Sequence, residues 1–138
     1  MSFLLDTNIC IHLFKGHPGL LERIESVGLD DCFLSEITVA ELLFGVENSA
    51  ADRRPNNRLK LNWLLAAFSG RILLIGQGIP IYASQKAELR KQGRTVSEFD
   101  LLIGATALVH GLTLVTRNTR DFLHLENITL ENWIDNQA

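Results

Sequence analysis

The chain has 138 residues, 46% of them hydrophobic, enough for one sizeable core and for a single domain spanning 1–138. Its formal net charge of −3 excludes a generally basic nucleic-acid binder, yet two basic clusters survive on the acidic background: Arg53, Arg54, Arg58 and Lys60, then Lys86, Arg90, Lys91 and Arg94. Every apolar run is broken by Asp, Lys, Gly or Arg short of the roughly 18 residues a membrane-spanning helix needs, and nothing resembles a signal peptide, so a soluble, cytoplasmic protein without membrane contact is expected. Cys10 and Cys32 stand singly in apolar stretches, where free cysteine acts as a small hydrophobe, and no disulfide is expected.

In chain order, Ser2–Leu5 reads as a first buried strand that ends on Asp6, with Thr7 and Asn8 as caps of the following helix. A second strand, Cys32–Ser35, leads into helical periodicity over Thr38–Asn48. Ser49–Asn57, rich in Ala, Arg, Asn and Asp with one Pro, reads as a mobile connection to a helix at Leu59–Phe68. A third strand is expected at Ile72–Ile75. Gly76-Gln-Gly78 then lacks the third glycine of a dinucleotide fingerprint, Ile81 standing in its place, and reads as a turn into the helix Ile79–Gln92. A helix at Glu98–His110 and strands at Leu112–Thr116 and Ile128–Leu130 complete the chain. Short apolar runs alternating with amphipathic segments of about ten residues or more define the α/β class, with a parallel sheet of about five strands flanked by helices.

In such sheets ligands bind beyond the carboxyl ends of the strands, where the next helices begin. Four acids fall there: Asp6 after the first strand, Glu41 in Thr38-Val-Ala-Glu41 after the second, Asp100 in Ser97-Glu-Phe-Asp100, and Asp121 in Asn118-Thr-Arg-Asp121 after Thr116. Capping is the ordinary explanation for the last three, since Ser or Thr followed three positions later by an acid is a capping box, with Asn118 as cap in the third case. It does not cover Asp6, and independent caps have no need to share one sheet edge. Gathered carboxylates repel by on the order of 4 kcal/mol per pair at about 4 Å and an effective dielectric near 20. A divalent cation relieves that repulsion, and ligands that are all oxygen point to a hard ion, Mg²⁺ or Mn²⁺.

The stretches LLDTN, ITVAELLFGVENS, GRTVSEFDLLIGATALVHGLTLVTRNTRDF and LENW, in that order, resemble the PIN-domain ribonuclease toxins of the VapC family over nearly the whole chain, least so over 52–77. The resemblance implies a PIN-like fold and makes Asp6, Glu41, Asp100 and Asp121 the acidic quartet that holds the metal and carries catalysis, with Thr7, Asn8, Thr116 and Asn118 as supporting polar residues. It further implies an RNA substrate, with GRTVSEFD pointing to the anticodon region of a transfer RNA. It also implies a VapB-type antitoxin whose C-terminal segment pushes a basic side chain into the acidic site, and contact with DNA only through that antitoxin.

Other residues carry less. Lys86, Arg90, Lys91 and Arg94, with Arg117, are candidates for the RNA backbone, although a helix flank is ordinarily just solvated. His12, His17, His110 and His124 are scattered without ligand spacing and read as surface or packing residues. Trp63, Trp133, Phe68 and Phe122 read as core or interface; Phe14, Leu42, Phe44 and Val46 are candidates for an apolar antitoxin groove. The apolar surplus suggests a homodimer through the helix after Asp6 and the helix Ile79–Gln92. Two other functions compete with the metal-dependent nuclease: a phosphoacceptor module using Asp30 and Asp31 with Asp6, and a non-catalytic interaction domain on the same fold.

Overall fold

The computed structural model describes residues 1–135. Five parallel strands, β1 (Phe3–Leu5), β2 (Cys32–Ser35), β3 (Ile72–Leu73), β4 (Thr113–Val115) and β5 (Leu130–Glu131), lie in the order β3-β2-β1-β4-β5. From β1 the chain builds outward through β2 to β3, then crosses to the other side of β1 for β4 and β5. The order therefore reverses between β1 and β4, which leaves a crevice beyond their carboxyl ends.

Side chains alternate across the sheet, and each face is buried under helices, which is why the strands read as unbroken apolar runs. Phe3 and Leu5 join Ile9, Leu20, Leu64, Phe68 and Trp133 in one core, beneath α1 (Thr7–Phe14), α2 (Leu20–Val27), α3 (Glu36–Glu47) and α4 (Arg54–Ala67). Leu4 and Leu114 point the other way, against Leu89 of α5 (Ile79–Lys91) and Ile103 of α6 (Glu98–Val109), with Phe122 and Leu125. Both cysteines are free and buried.

Several boundaries move from their expected places for identifiable reasons. Ser35 caps α3, its Oγ accepting from Ile37 N at 3.1 Å, so the helix starts at Glu36 and Thr38 is a buried residue inside it rather than its cap. Asp6, not Thr7 or Asn8, caps α1: Oδ1 accepts from Thr7 N at 2.8 Å. The connection after α3 is shorter than Ser49–Asn57, because α4 begins at Arg54 with Pro55 in its first turn, where a missing N–H is harmless. β3 stops at Leu73; Ile75 N leaves the ladder for Glu36 Oε1 at 2.9 Å. The last strand sits slightly later than Ile128–Leu130. Asp30 and Asp31 precede β2 at its amino end, the sheet edge opposite Asp6, which removes the phosphoacceptor pocket.

α6 packs hard against the segment that follows β4. A Cβ built on Gly104 would collide with Leu125 Cδ1, and Leu125 is itself buried. Gly104→Ala is therefore expected to lower stability by about 1–3 kcal/mol through overpacking. Thermal unfolding of the pair of variants checks this: in a Leu125→Ala background the same Gly104 substitution should cost clearly less, and equal costs would rule out this contact as the cause.

Candidate functional site

The crevice between β1 and β4 is occupied by Asp6. Its backbone N–H donates to Val115 O at 2.9 Å, extending the β1–β4 pairing by one residue and placing the carboxyl group at the reversal point of the sheet. The side chain is 4% exposed. Thr116 Oγ1 donates to Asp6 Oδ2 at 2.8 Å, and Asn8 Nδ2 donates to the same oxygen at 3.1 Å. Asn8 also reaches Thr116 Oγ1 at 3.2 Å and accepts from Arg117 N at 3.0 Å, so α1 and the end of β4 are tied together around one carboxylate. Thr7 Oγ1 donates to Glu41 Oε1 at 2.7 Å and lies 3.0 Å from Thr38 Oγ1, which brings α3 to the same place. Ser97 caps α6 with its Oγ accepting from Asp100 N at 3.1 Å. Asp121 ends the short turn Thr119–Asp121; Asn118 makes no side-chain cap there and contributes its backbone N–H to Thr116 Oγ1 instead.

Electrostatics shows that these acids share one field. Burial pushes the Asp6 carboxyl up to about 6; bonds from Thr116 and Thr7 oppose the rise, and the charges of Asp100 and Glu41 add to it. Asp100 is likewise held above the ordinary carboxylate range by burial, with Asp121 and Glu41 contributing. Asp100 therefore senses Asp6, Glu41 and Asp121, the four residues the sequence singled out.

The donor chemistry suits a hard divalent cation: carboxylate oxygens backed by hydroxyl and amide groups. Among the described residues, however, no three His, Cys, Asp or Glu side chains are gathered closely enough to hold an ion unaided. A divalent cation here would be held by only part of the carboxylate set and would complete its shell with other oxygens, as small hard ions ordinarily do.

The basic candidates separate. Lys86 Nζ is paired with Glu98 Oε1, and Tyr82 OH donates to the same carboxyl group, which raises the lysine and lowers the acid from their usual ranges. Arg117 Nε bonds Asp135 at 3.4 Å. Lys91 lines a separate hollow with Glu88 and Glu126, away from the acids. Arg90 and Arg94 line a hollow with Lys86, and Arg94 alone of these also lines the cleft of Asp100 and Asp121. Sequence reasoning missed Arg120 and His124 in that cleft; their one signal was closeness in sequence to Asp121.

The PIN-domain family model matches residues 3–127. The chain is 32% identical over 136 residues to the tRNA(fMet)-specific endonuclease VapC of Shigella flexneri, covering 96% of this chain and 98% of that one. It is 34% identical over 139 residues to ribonuclease VapC2 of Haemophilus influenzae, covering 97% and 99%. The fold superposes with a TM-score of 0.87, at 30% identity and over 96% of this chain and 98% of that chain, on DNA-bound VapBC from Salmonella typhimurium. The chain belongs to the PIN-domain family and, within it, to the VapC ribonucleases. Nucleases of this family depend on divalent metal ions. No helix among the described residues is long and apolar enough to cross a membrane.

The raised Asp6 pKa has a definite sign in stability. Its folded value, about 6, exceeds the ordinary 3.8, so its contribution is fully present below pH 3.8 and is lost as pH rises through 6. The shift corresponds to about 3 kcal/mol. Denaturant unfolding in EDTA should therefore show the unmutated protein losing stability between pH 4 and pH 7 relative to Asp6→Asn. Parallel pH profiles for the two proteins would mean that Asp6 titrates normally.

Proposed function

We propose that this chain is the toxin ribonuclease of a VapBC-type pair, a single PIN domain that hydrolyses RNA at the carboxylates around Asp6. The observation that carries the reading is the electrostatic coupling of Asp6, Glu41, Asp100 and Asp121 at the reversal point of the sheet. These four would hold a divalent ion, Mg²⁺ or Mn²⁺, and when bound such an ion neutralises charge building on the scissile phosphate and lowers the pKa of water. Thr116 and Asn8 orient Asp6, Thr7 orients Glu41, and Ser97 fixes the backbone at Asp100. Asp6 binds a proton more readily than an ordinary carboxyl group, so protons compete with the cation below about pH 6.

An RNA substrate is supported by the ribonuclease relatives, and a transfer RNA, cut in its anticodon region, by the name of the Shigella enzyme and the GRTVSEFD stretch. The VapB-type antitoxin partner is supported by the VapBC complexes that share the fold, and contact with DNA through that antitoxin by the DNA-bound ones. A groove of about 320 Å³ lined by Ile11, Phe14, Leu42 and Val46 runs beside Glu41, a fitting bed for the apolar part of an inhibitory segment; Phe44 faces solvent outside it. Action in the cytoplasm follows from this role. A homodimer is supported by exposed Ile79 on α5.

Asp6→Asn, Glu41→Gln and Asp100→Asn are each expected to cut RNA cleavage and growth inhibition on the order of a hundredfold or more while leaving a folded protein. Millimolar Mg²⁺ should raise the melting temperature of the unmutated toxin above that in NaCl of matched ionic strength, and the quadruple neutral variant should lose the response. Cleavage assays on total RNA with parallel melts decide the matter: an active Asp6→Asn protein would refute the assignment.

A further inference from the structure

We infer that Arg94 and Arg120 form a phosphate cradle that holds the RNA backbone beside the carboxylates, an inference that rests on the ribonuclease reading and deepens it. A cleft of about 540 Å³ between the α5–α6 corner and the turn after β4 has Arg94, Arg120 and His124 in its walls together with Asp100 and Asp121. An acidic site must draw a polyanion against its own charge, so cations sharing its cleft have a defined use.

Position in this cleft, together with the lack of a carboxylate ion pair, selects these two arginines; Arg90 lines the neighbouring hollow and Lys91 a separate one. Lys86 is neutralised by Glu98 and Arg117 by Asp135, whereas neither Arg94 nor Arg120 forms an ion pair with a carboxylate among the described residues. The partner of Arg94 is an imidazole nitrogen rather than a carboxylate: its Nη1 lies 2.8 Å from His124 Nε2, and a guanidinium can only donate. That bond aims the guanidinium without cancelling its charge. A helix flank kept basic for solubility alone would not need it.

Both walls are rigidly mounted. α5 ends in a Schellman corner: Gly93, at φ 71°, donates to Arg90 O at 3.0 Å, and Arg94 N donates to Leu89 O at 2.9 Å, with Leu89 buried. Arg94 thus leaves a fixed backbone rather than a loose loop. Opposite it, Phe122 and Leu125 are buried on either side of His124, and Leu125 is seated over Gly104 of α6, the helix that carries Asp100. A planar, forked cation sharing a cleft with the carboxylates suits a phosphate flanking the one that reacts.

The test is polarisation binding of a fluorescein-labelled, mixed-sequence single-stranded RNA of about 20 nucleotides, in EDTA and across roughly 50 to 200 mM NaCl. Arg94→Ala and Arg120→Ala should each weaken binding several-fold and lower the slope of log affinity against log salt by about 0.7, the double variant by about 1.4. Arg94→Lys should restore the slope, and Lys91→Ala should leave affinity and slope unchanged. An unmutated protein that binds the RNA while the double variant keeps its affinity and slope overturns the cradle alone. An unmutated protein that binds no RNA overturns the ribonuclease reading and the cradle with it. Intact RNA binding with weakened antitoxin binding in the double variant would assign the arginines to the partner and overturn the cradle as well.

Discussion

The hydrogen bond from Thr116 to Asp6 is the constraint on which the site depends. It joins the residue after β4 to the residue after β1, two strands more than a hundred positions apart in sequence, and it holds a carboxylate where burial works against its charge. Three donors are spent on that one group, from Thr7, Asn8 and Thr116, and still they do not outweigh desolvation. A protein selected for stability alone would have placed an apolar or neutral residue there, since an ionised buried carboxylate without a cation lowers stability. Retaining it is a cost that a bound cation removes, which makes stability of the metal-free protein and its use as a nuclease opposing quantities.

The remaining architecture serves to keep that group still. Phe3, Leu4 and Leu5 fill both cores from one short strand, so Asp6 follows directly from the most enclosed segment of the chain. Thr38, fully buried under Thr7, locks α3 to α1, and Glu41 follows one turn later on the same helix. Gly104 lets α6 lie close enough to Leu125 that Asp100 and Asp121, on different elements, sense each other's charge. Each acid is thus carried by an element with its own apolar anchor, and their separation is set by packing rather than by loops.

Much of this was legible in the sequence because two signals are local. Apolar runs marked the strands, with β2 recovered residue for residue and the others within a few positions, and punctuation at strand ends marked the acids. Ser97 caps α6 as its spacing predicts, whereas the caps of α1 and α3 are not the expected residues. Thr38-Val-Ala-Glu41 has the spacing of a capping box, but Ser35 takes the cap because β2 ends there, and that is settled by sheet register rather than by the helix. Asp6 was set aside as a cap yet serves as one while remaining in the acidic cluster, so capping and site chemistry are not exclusive. The basic residues were least legible. A count of lysines and arginines along α5 could not tell that Lys86 is spent on Glu98, or that His124, scattered in sequence, stands beside Arg94.

Two differently lined openings reach the acidic residues. The groove beside Glu41 is chiefly apolar, with Lys15 and Lys60 at its rim, while the cleft beside Asp100 and Asp121 is polar and carries two arginines. Glu41 belongs to the first and Asp100 to the second, and each is coupled to Asp6. A ligand approaching through the groove meets apolar side chains before it meets charge, which favours a folded or folding peptide with hydrophobic anchors. One approaching through the cleft meets guanidinium groups first, which favours a phosphate chain. Because each opening is lined by an acid coupled to Asp6, a charge bound in one alters the field felt in the other. An inhibitory peptide of the kind proposed would then need only to bring a basic group to Glu41 or Asp6, without covering the cleft that holds Asp100 and Asp121.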